Sequence, residues 1–73
     1  MSRDADLEAF GRALRHWRKQ KGLSQEELAG RSDLHRNYVG LVERGERNAS
    51  IKTMFKLAHA LGINVAQLCG EIR

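Results

Sequence analysis

The sequence predicts an all-α fold of five short helices and no strand, and three observations carry that prediction. Apolar residues recur at steps of three and four, the spacing of a helix face, rather than at the step of two that marks a strand. Ser24, Ser50 and Asn64 stand just before such periodic stretches, where a short polar side chain can cap a helix start. Gly22, Gly45 and Gly62 stand just after them, and there is no proline anywhere in the chain. With 73 residues, residues 1–73 form a single domain, whose core is marginal unless helices pack well or a second subunit completes it.

Leu7, Phe10, Leu14 and Trp17 make one stripe of a first helix that stops at Gly22, with Phe10 and Trp17 expected in the core because aromatics in phase with Leu14 bury large apolar area. Ser24 and Glu27 have the spacing of a capping box, so a second helix runs from Gln25 to about Arg31. Asp33 falls in the turn that follows, where a positive φ is wanted; Asp tolerates this better than a branched residue. A third helix spans about Arg36 to Arg44, closed by Gly45. Ser50 caps a fourth, whose stripe is Ile51, Met54, Leu57, Ala58 and Leu61, ending at Gly62. Asn64 caps a short fifth, Val65 to Cys69.

Thirteen Lys and Arg against nine Asp and Glu give a formal charge of +4, which suits an anionic partner without separating nucleic acid from a membrane surface. The run RALRHWRKQKG, Arg12 to Gly22, is the most basic; its plainest reading is a solvated helix face. No apolar run approaches the ~20 residues that cross a bilayer, and the charged N-terminus does not resemble a signal peptide, so a cytoplasmic location and no membrane partner are expected. Cys69 is the single cysteine, which excludes an internal disulfide. His16, His35, His59 and Cys69 lack the spacing of a metal set. With no nucleophile motif and no glycine-rich phosphate loop, neither an enzyme nor a cofactor is expected.

The informative stretch is LHRNYVGLVERG, Leu34 to Gly45. With Val39 and Val42 facing inward and about 100° per residue, Asn37 and Arg44 point away from the core, with Gly40 and Leu41 beside them. Arg36 sits at the N-terminal shoulder and Tyr38 on the flank. A merely solvated face gains nothing from Gly40, which costs a helix ~1 kcal/mol relative to Ala; a face that another surface approaches closely does. Two short helices joined by a tight turn suit a DNA major groove. There Arg can grip guanine O6 and N7, Asn can grip adenine, and Leu41 can meet a thymine methyl group.

The ordered set from Leu23 to Ile63, LSQEELAGRSDLHRNYVGLVERGERNASIKTMFKLAHALGI, resembles the helix-turn-helix family of phage repressors and Cro, and LHRNYVGLVERGERNASIKT most resembles the controller proteins of restriction–modification systems. The resemblance implies a compact five-helix, lambda-repressor-like DNA-binding domain with its helix-turn-helix core at 24–45. It implies that Arg36, Asn37, Gly40 and Leu41 read bases, and that Ser24, Gln25, His35, Tyr38, Arg44, Arg47 and Asn48 meet the DNA backbone. Arg18 and Glu43 match a charged pair that ties helix one to helix three. Three positions depart from the pattern: Asp33 for the usual turn glycine, His35 for the usual Ser, Thr or Asp cap, and Ala49 for a frequent proline.

The expected function is therefore sequence-specific binding of double-stranded DNA by a homodimer at a roughly palindromic operator, regulating the protein's own promoter, with RNA polymerase as a further partner. Phe55, Val65, Leu68 and Ile72 exceed what so small a core needs and mark a dimerisation region at about 51–73. A phage-type repressor or DNA-binding antitoxin shares all these features. A helical adaptor that binds a protein is the reading from a different class, although only Leu41 is an outward apolar residue on helix three.

Overall fold

Each helix begins where a side chain can satisfy the first free backbone N–H groups. In the computed structural model, which describes residues 4–70, α1 (Ala5–Gln20) is capped by Asp4, whose carboxylate accepts from the N–H of Asp6 at 2.9 Å and of Leu7 at 3.2 Å. In α2 (Gln25–Ser32) the Ser24 hydroxyl accepts from Glu27 N–H and Ser24 N–H donates to the Glu27 carboxylate, both at 2.9 Å. The backbone N–H and hydroxyl of Ser24 hold the Glu27 carboxyl below its ordinary value. α3 (Arg36–Glu43) follows His35, α4 (Ile51–Leu61) is capped by Ser50, and α5 (Val65–Cys69) starts in a capping box of Asn64 and Gln67. No strand occurs among the described residues.

The ends differ from the sequence expectation by a residue or two. α1 starts ahead of Leu7 because Asp4 caps it. α2 extends to Ser32, whose buried hydroxyl donates back to the Leu28 carbonyl at 2.6 Å, and α3 stops at Glu43 with Arg44 as its cap. Asp33 takes the left-handed conformation, φ 58° and ψ 45°, which lets Leu34 N–H return to the Ala29 carbonyl at 2.8 Å and turns the chain into α3.

α3 lies between α1 and α2; α2 also packs on α4, and α5 closes the far side against α1 and α4. Leu14, Leu28, Val39, Val42, Leu57 and Leu68 fill the centre. Trp17 is half-buried against this core, with its ring edge-on to His16.

Two apolar residues sit elsewhere than expected. Leu68, assigned to a dimer surface, is 0 % exposed and completes the core under α5, so it has no area left to offer a partner. Ile51, assigned to the buried stripe of α4, is 71 % exposed. It sits four residues before Phe55, about 40° from it around the helix, and shares the outer flank with that ring rather than the inner face of Leu57 and Leu61. Ile72 lies outside the described residues.

α1 and α3 cross at Gly11, where a Cβ would stand 2.4 Å from the Glu43 carbonyl oxygen and 2.5 Å from that of Val42. At Gly45, with φ 74°, a Cβ would meet Glu8 Cγ at 2.7 Å. Both glycines let the end of α3 lie directly on α1. Gly11→Ala should therefore push the helices apart and lower stability by about 1–3 kcal/mol, as overpacking does, read as a lower urea midpoint with an unchanged m-value.

Candidate nucleic-acid interface

The free edges of α2 and α3 leave an open depression lined by Arg18, Ser24, Gln25, Glu26, Arg36, Asn37, Gly40, Leu41 and Arg44. Its floor is a buried polar network. Arg18 donates from Nε to Glu43 Oε2 at 2.6 Å and from Nη2 to Oε1 at 3.1 Å, a bidentate pair, and from Nη1 to the Leu23 carbonyl at 2.9 Å. Gln25 Nε2 donates to the same Glu43 Oε1 at 3.0 Å. One carboxylate on α3 thus holds α1 and α2 together with the loop between them.

Above that floor, Arg36, Asn37 and Arg44 are exposed and Leu41 is half-buried. Arg36 Nη1 lies 3.7 Å from Glu26, and Arg44 Nε lies 3.3 Å from Glu46. Gly40 is buried rather than presented: a Cβ there would lie 3.2 Å from Arg44 Nη1 and 3.3 Å from Gln25 Oε1. Its missing side chain makes room for Gln25 and Arg44 over this part of the depression.

His35 caps α3 by accepting Asn37 N–H on Nδ1 at 3.1 Å. That bond needs a lone pair on Nδ1, so the ring proton sits on Nε2. Tyr38 donates its hydroxyl proton to the Asn48 carbonyl at 3.1 Å. In this structure that bond ties the loop after α3 to the helix. Arg47 and Asn48 are exposed on that loop, outside the depression.

The helix-turn-helix family model matches residues 14–68. Control protein C.SmaI of Serratia marcescens is 44 % identical over 71 residues, covering 89 % of this chain and 84 % of that one. Control protein C.MunI of a Mycoplasma species is 41 % identical over 64 residues, covering 86 % of each. The crystal structure of the restriction-modification controller protein C.AhdI from Aeromonas hydrophila superposes with a TM-score of 0.88 at 55 % identity, over 89 % of this chain and 98 % of that one. The chain belongs to the helix-turn-helix controller-protein family. It is a DNA-binding transcription regulator, and the family is one of regulators rather than of enzymes. No helix among the described residues is long and apolar enough to cross a membrane.

In this controller-family chain, sequence reasoning passed over Glu26 and Glu46, the acidic neighbours of the two exposed arginines, and Gly11, on which α3 rests. Glu46 lies two residues from Arg44 and was open to a local reading. Glu26 meets Arg36 only because the turn at Asp33 folds α2 back beside α3. Cys69 is half-exposed, and burial pushes its thiol up.

With side chains only 11 % and 3 % exposed, the Arg18–Glu43 pair depends on both partners. Arg18→Met should leave a buried carboxylate without its cation and cost roughly 3–5 kcal/mol, whereas Arg18→Met combined with Glu43→Leu should recover most of that loss. Urea unfolding of the wild type, both single variants and the double variant measures the coupling.

Proposed function

We propose that the protein is a restriction–modification controller that binds a roughly palindromic operator as a homodimer and regulates its own promoter. The observation that carries this reading is the convergence of Ser24, Gln25, Arg36, Asn37, Leu41 and Arg44 on one open face at the α2–α3 turn. A recognition helix laid in the major groove would bring Arg36 and Asn37, at its first turn, to base edges, with Leu41 one turn further on. The first backbone N–H groups of α2, at Gln25 and Glu26, would face a phosphate together with the Ser24 hydroxyl and the second amide proton of Gln25. His35 would donate from Nε2, while Arg44, Arg47 and Asn48 would supply further backbone contacts. Gly40 and Tyr38 would act through the side chains they accommodate or tether.

Residues 24–45 form the reading unit. Pairing falls within 51–73, on the outer flank of α4, where Ile51 and Phe55 are 71 % and 50 % exposed, joined by half-buried Val65. Two subunits would place two copies of α3 about one helical turn apart, beside RNA polymerase in the cytoplasm; where the operator lies relative to the polymerase site would decide between activation and repression.

Nuclease footprinting of the DNA upstream of the protein's own gene, with excess random competitor, tests the reading directly: a symmetric protected site overlapping a promoter is expected. On that site Arg36→Ala should cost about 1–3 kcal/mol and relax the preference at one position per half-site, whereas Arg47→Ala should weaken specific and random DNA alike. Protection that disappears with competitor would remove operator recognition. Phe55→Glu should convert the dimer to monomer in sedimentation equilibrium; a dimer that persists would move the pairing surface elsewhere.

A further inference from the structure

The one acidic side chain in the depression apart from the buried Glu43 network is Glu26, in the first turn of α2. Its carboxylate stands 3.7 Å from Arg36 Nη1, and the two side chains are 76 % and 64 % exposed. As a stabilising contact such a pair is worth little, because solvent screens it and two long side chains must be ordered to make it. The capping box of α2 is already closed by Glu27, so Glu26 is not needed to start the helix. A negative charge on a face that meets DNA also opposes phosphate. Its effect is therefore to be sought in what it does to Arg36.

We propose that Glu26 is a specificity-determining residue that holds Arg36 ready for guanine and penalises its use on phosphate. The inference rests on the base-reading role of Arg36 given above. An arginine on a flexible stem grips any phosphate it can reach, which adds affinity for every sequence. With Glu26 beside it, a phosphate approaching Arg36 also approaches a carboxylate of like charge. Guanine offers O6 and N7 without net charge, so the guanidinium can meet both acceptors while its other edge stays with Glu26. The carboxylate also biases where the guanidinium rests before DNA arrives, a small effect in so exposed a pair. Specificity is a difference between two affinities, and Glu26 acts mainly by lowering the wrong one.

The Arg44–Glu46 pair at 3.3 Å is different in kind. It is local, two residues apart in the loop after α3, whereas Glu26 reaches Arg36 across the turn between two helices. Only the latter couples the phosphate-facing start of α2 to the first residue of α3.

The test uses the duplex that the wild-type protein selects from a randomised pool, the same duplex with 7-deazaguanine at single guanines, and a scrambled duplex of equal length. Affinities are measured for wild type, Glu26→Gln, Arg36→Ala and the double variant, with thermal unfolding to check that these exposed substitutions leave the fold intact. Glu26→Gln is expected to tighten binding to the scrambled duplex about five-fold, the scale of one exposed charge contact. It is also expected to reduce the penalty for 7-deazaguanine at the Arg36-dependent position, and neither change should appear when Arg36 is already Ala. Equal tightening on selected and scrambled DNA would overturn the proposal and leave Glu26 as one charge in the general field. A Glu26→Gln effect that persists in the Arg36→Ala background would also overturn it, since Glu26 would then act on DNA directly. If Arg36→Ala itself leaves the guanine preference unchanged, the base-reading role fails and the inference falls with it; a lost preference in Arg36→Ala with an unaltered one in Glu26→Gln rejects the inference alone.

Discussion

The buried bidentate pair between Arg18 and Glu43 is the contact on which the aim of α3 depends. For the proposed base reading, α3 would have to be held to a fraction of an ångström so that its side chains meet two acceptors on one base, and eight residues of helix cannot supply that rigidity alone. Glu43 satisfies both oxygens, taking Arg18 on each and Gln25 on one, while Arg18 also reaches the Leu23 carbonyl. Because these charges are largely removed from water, an arrangement that breaks the pair is far less stable than one that keeps it. Gly11 then fixes the distance, since nothing but glycine lets α3 rest its last carbonyls on α1. Electrostatics sets the orientation and steric contact sets the spacing.

The face carried by this frame is less cationic than a count of arginines suggests. Arg18 is neutralised in the floor, and Arg36 and Arg44 each stand beside a glutamate. His35 serves first as a helix cap and Tyr38 first as a tether. Several polar groups at the rim thus already hold intramolecular contacts that DNA bound at this face would have to share or displace. On the proposed reading, such a face would discriminate by fit more than by charge.

The helices were legible in the sequence because their signals are local. Ser24 with Glu27, Asn64 as a cap, and the glycines after α1, α3 and α4 act within a turn or two of the residues they punctuate. The positive φ at Asp33 followed from its place between two periodic stretches, and the placing of Arg36, Asn37 and Arg44 on one outward face followed from helix geometry around Val39 and Val42. What was not legible depends on neighbours distant in the chain. Leu68 reads as surplus from its position in a five-residue helix, yet the gap between α1 and α4 is its place. Ile51 is in phase with Leu57 and Leu61 only at the margin of the stripe, and periodicity alone cannot say where the stripe's edge falls. Gly40 reads as a point where another surface comes close, and in the structure the groups nearest it are Gln25 and Arg44 of the same chain. Glu26 reads as one more helix-start acid until the turn brings Arg36 beside it.

Charge and size together favour a reader that works in pairs. With a formal charge of +4 over 73 residues and its exposed face arginines each beside a glutamate, a single domain of the proposed reader would gather only a modest counterion-release term. Raising the positive charge would help both specific and random binding, and so would not improve the ratio that matters. In the proposed dimer, pairing through α4 would multiply the base contacts instead, and would add them only where two half-sites have the right spacing. An exposed apolar flank holding Ile51 and Phe55 is costly for a lone domain in water. It is the complement of a weakly cationic face, because each compensates for what the other withholds.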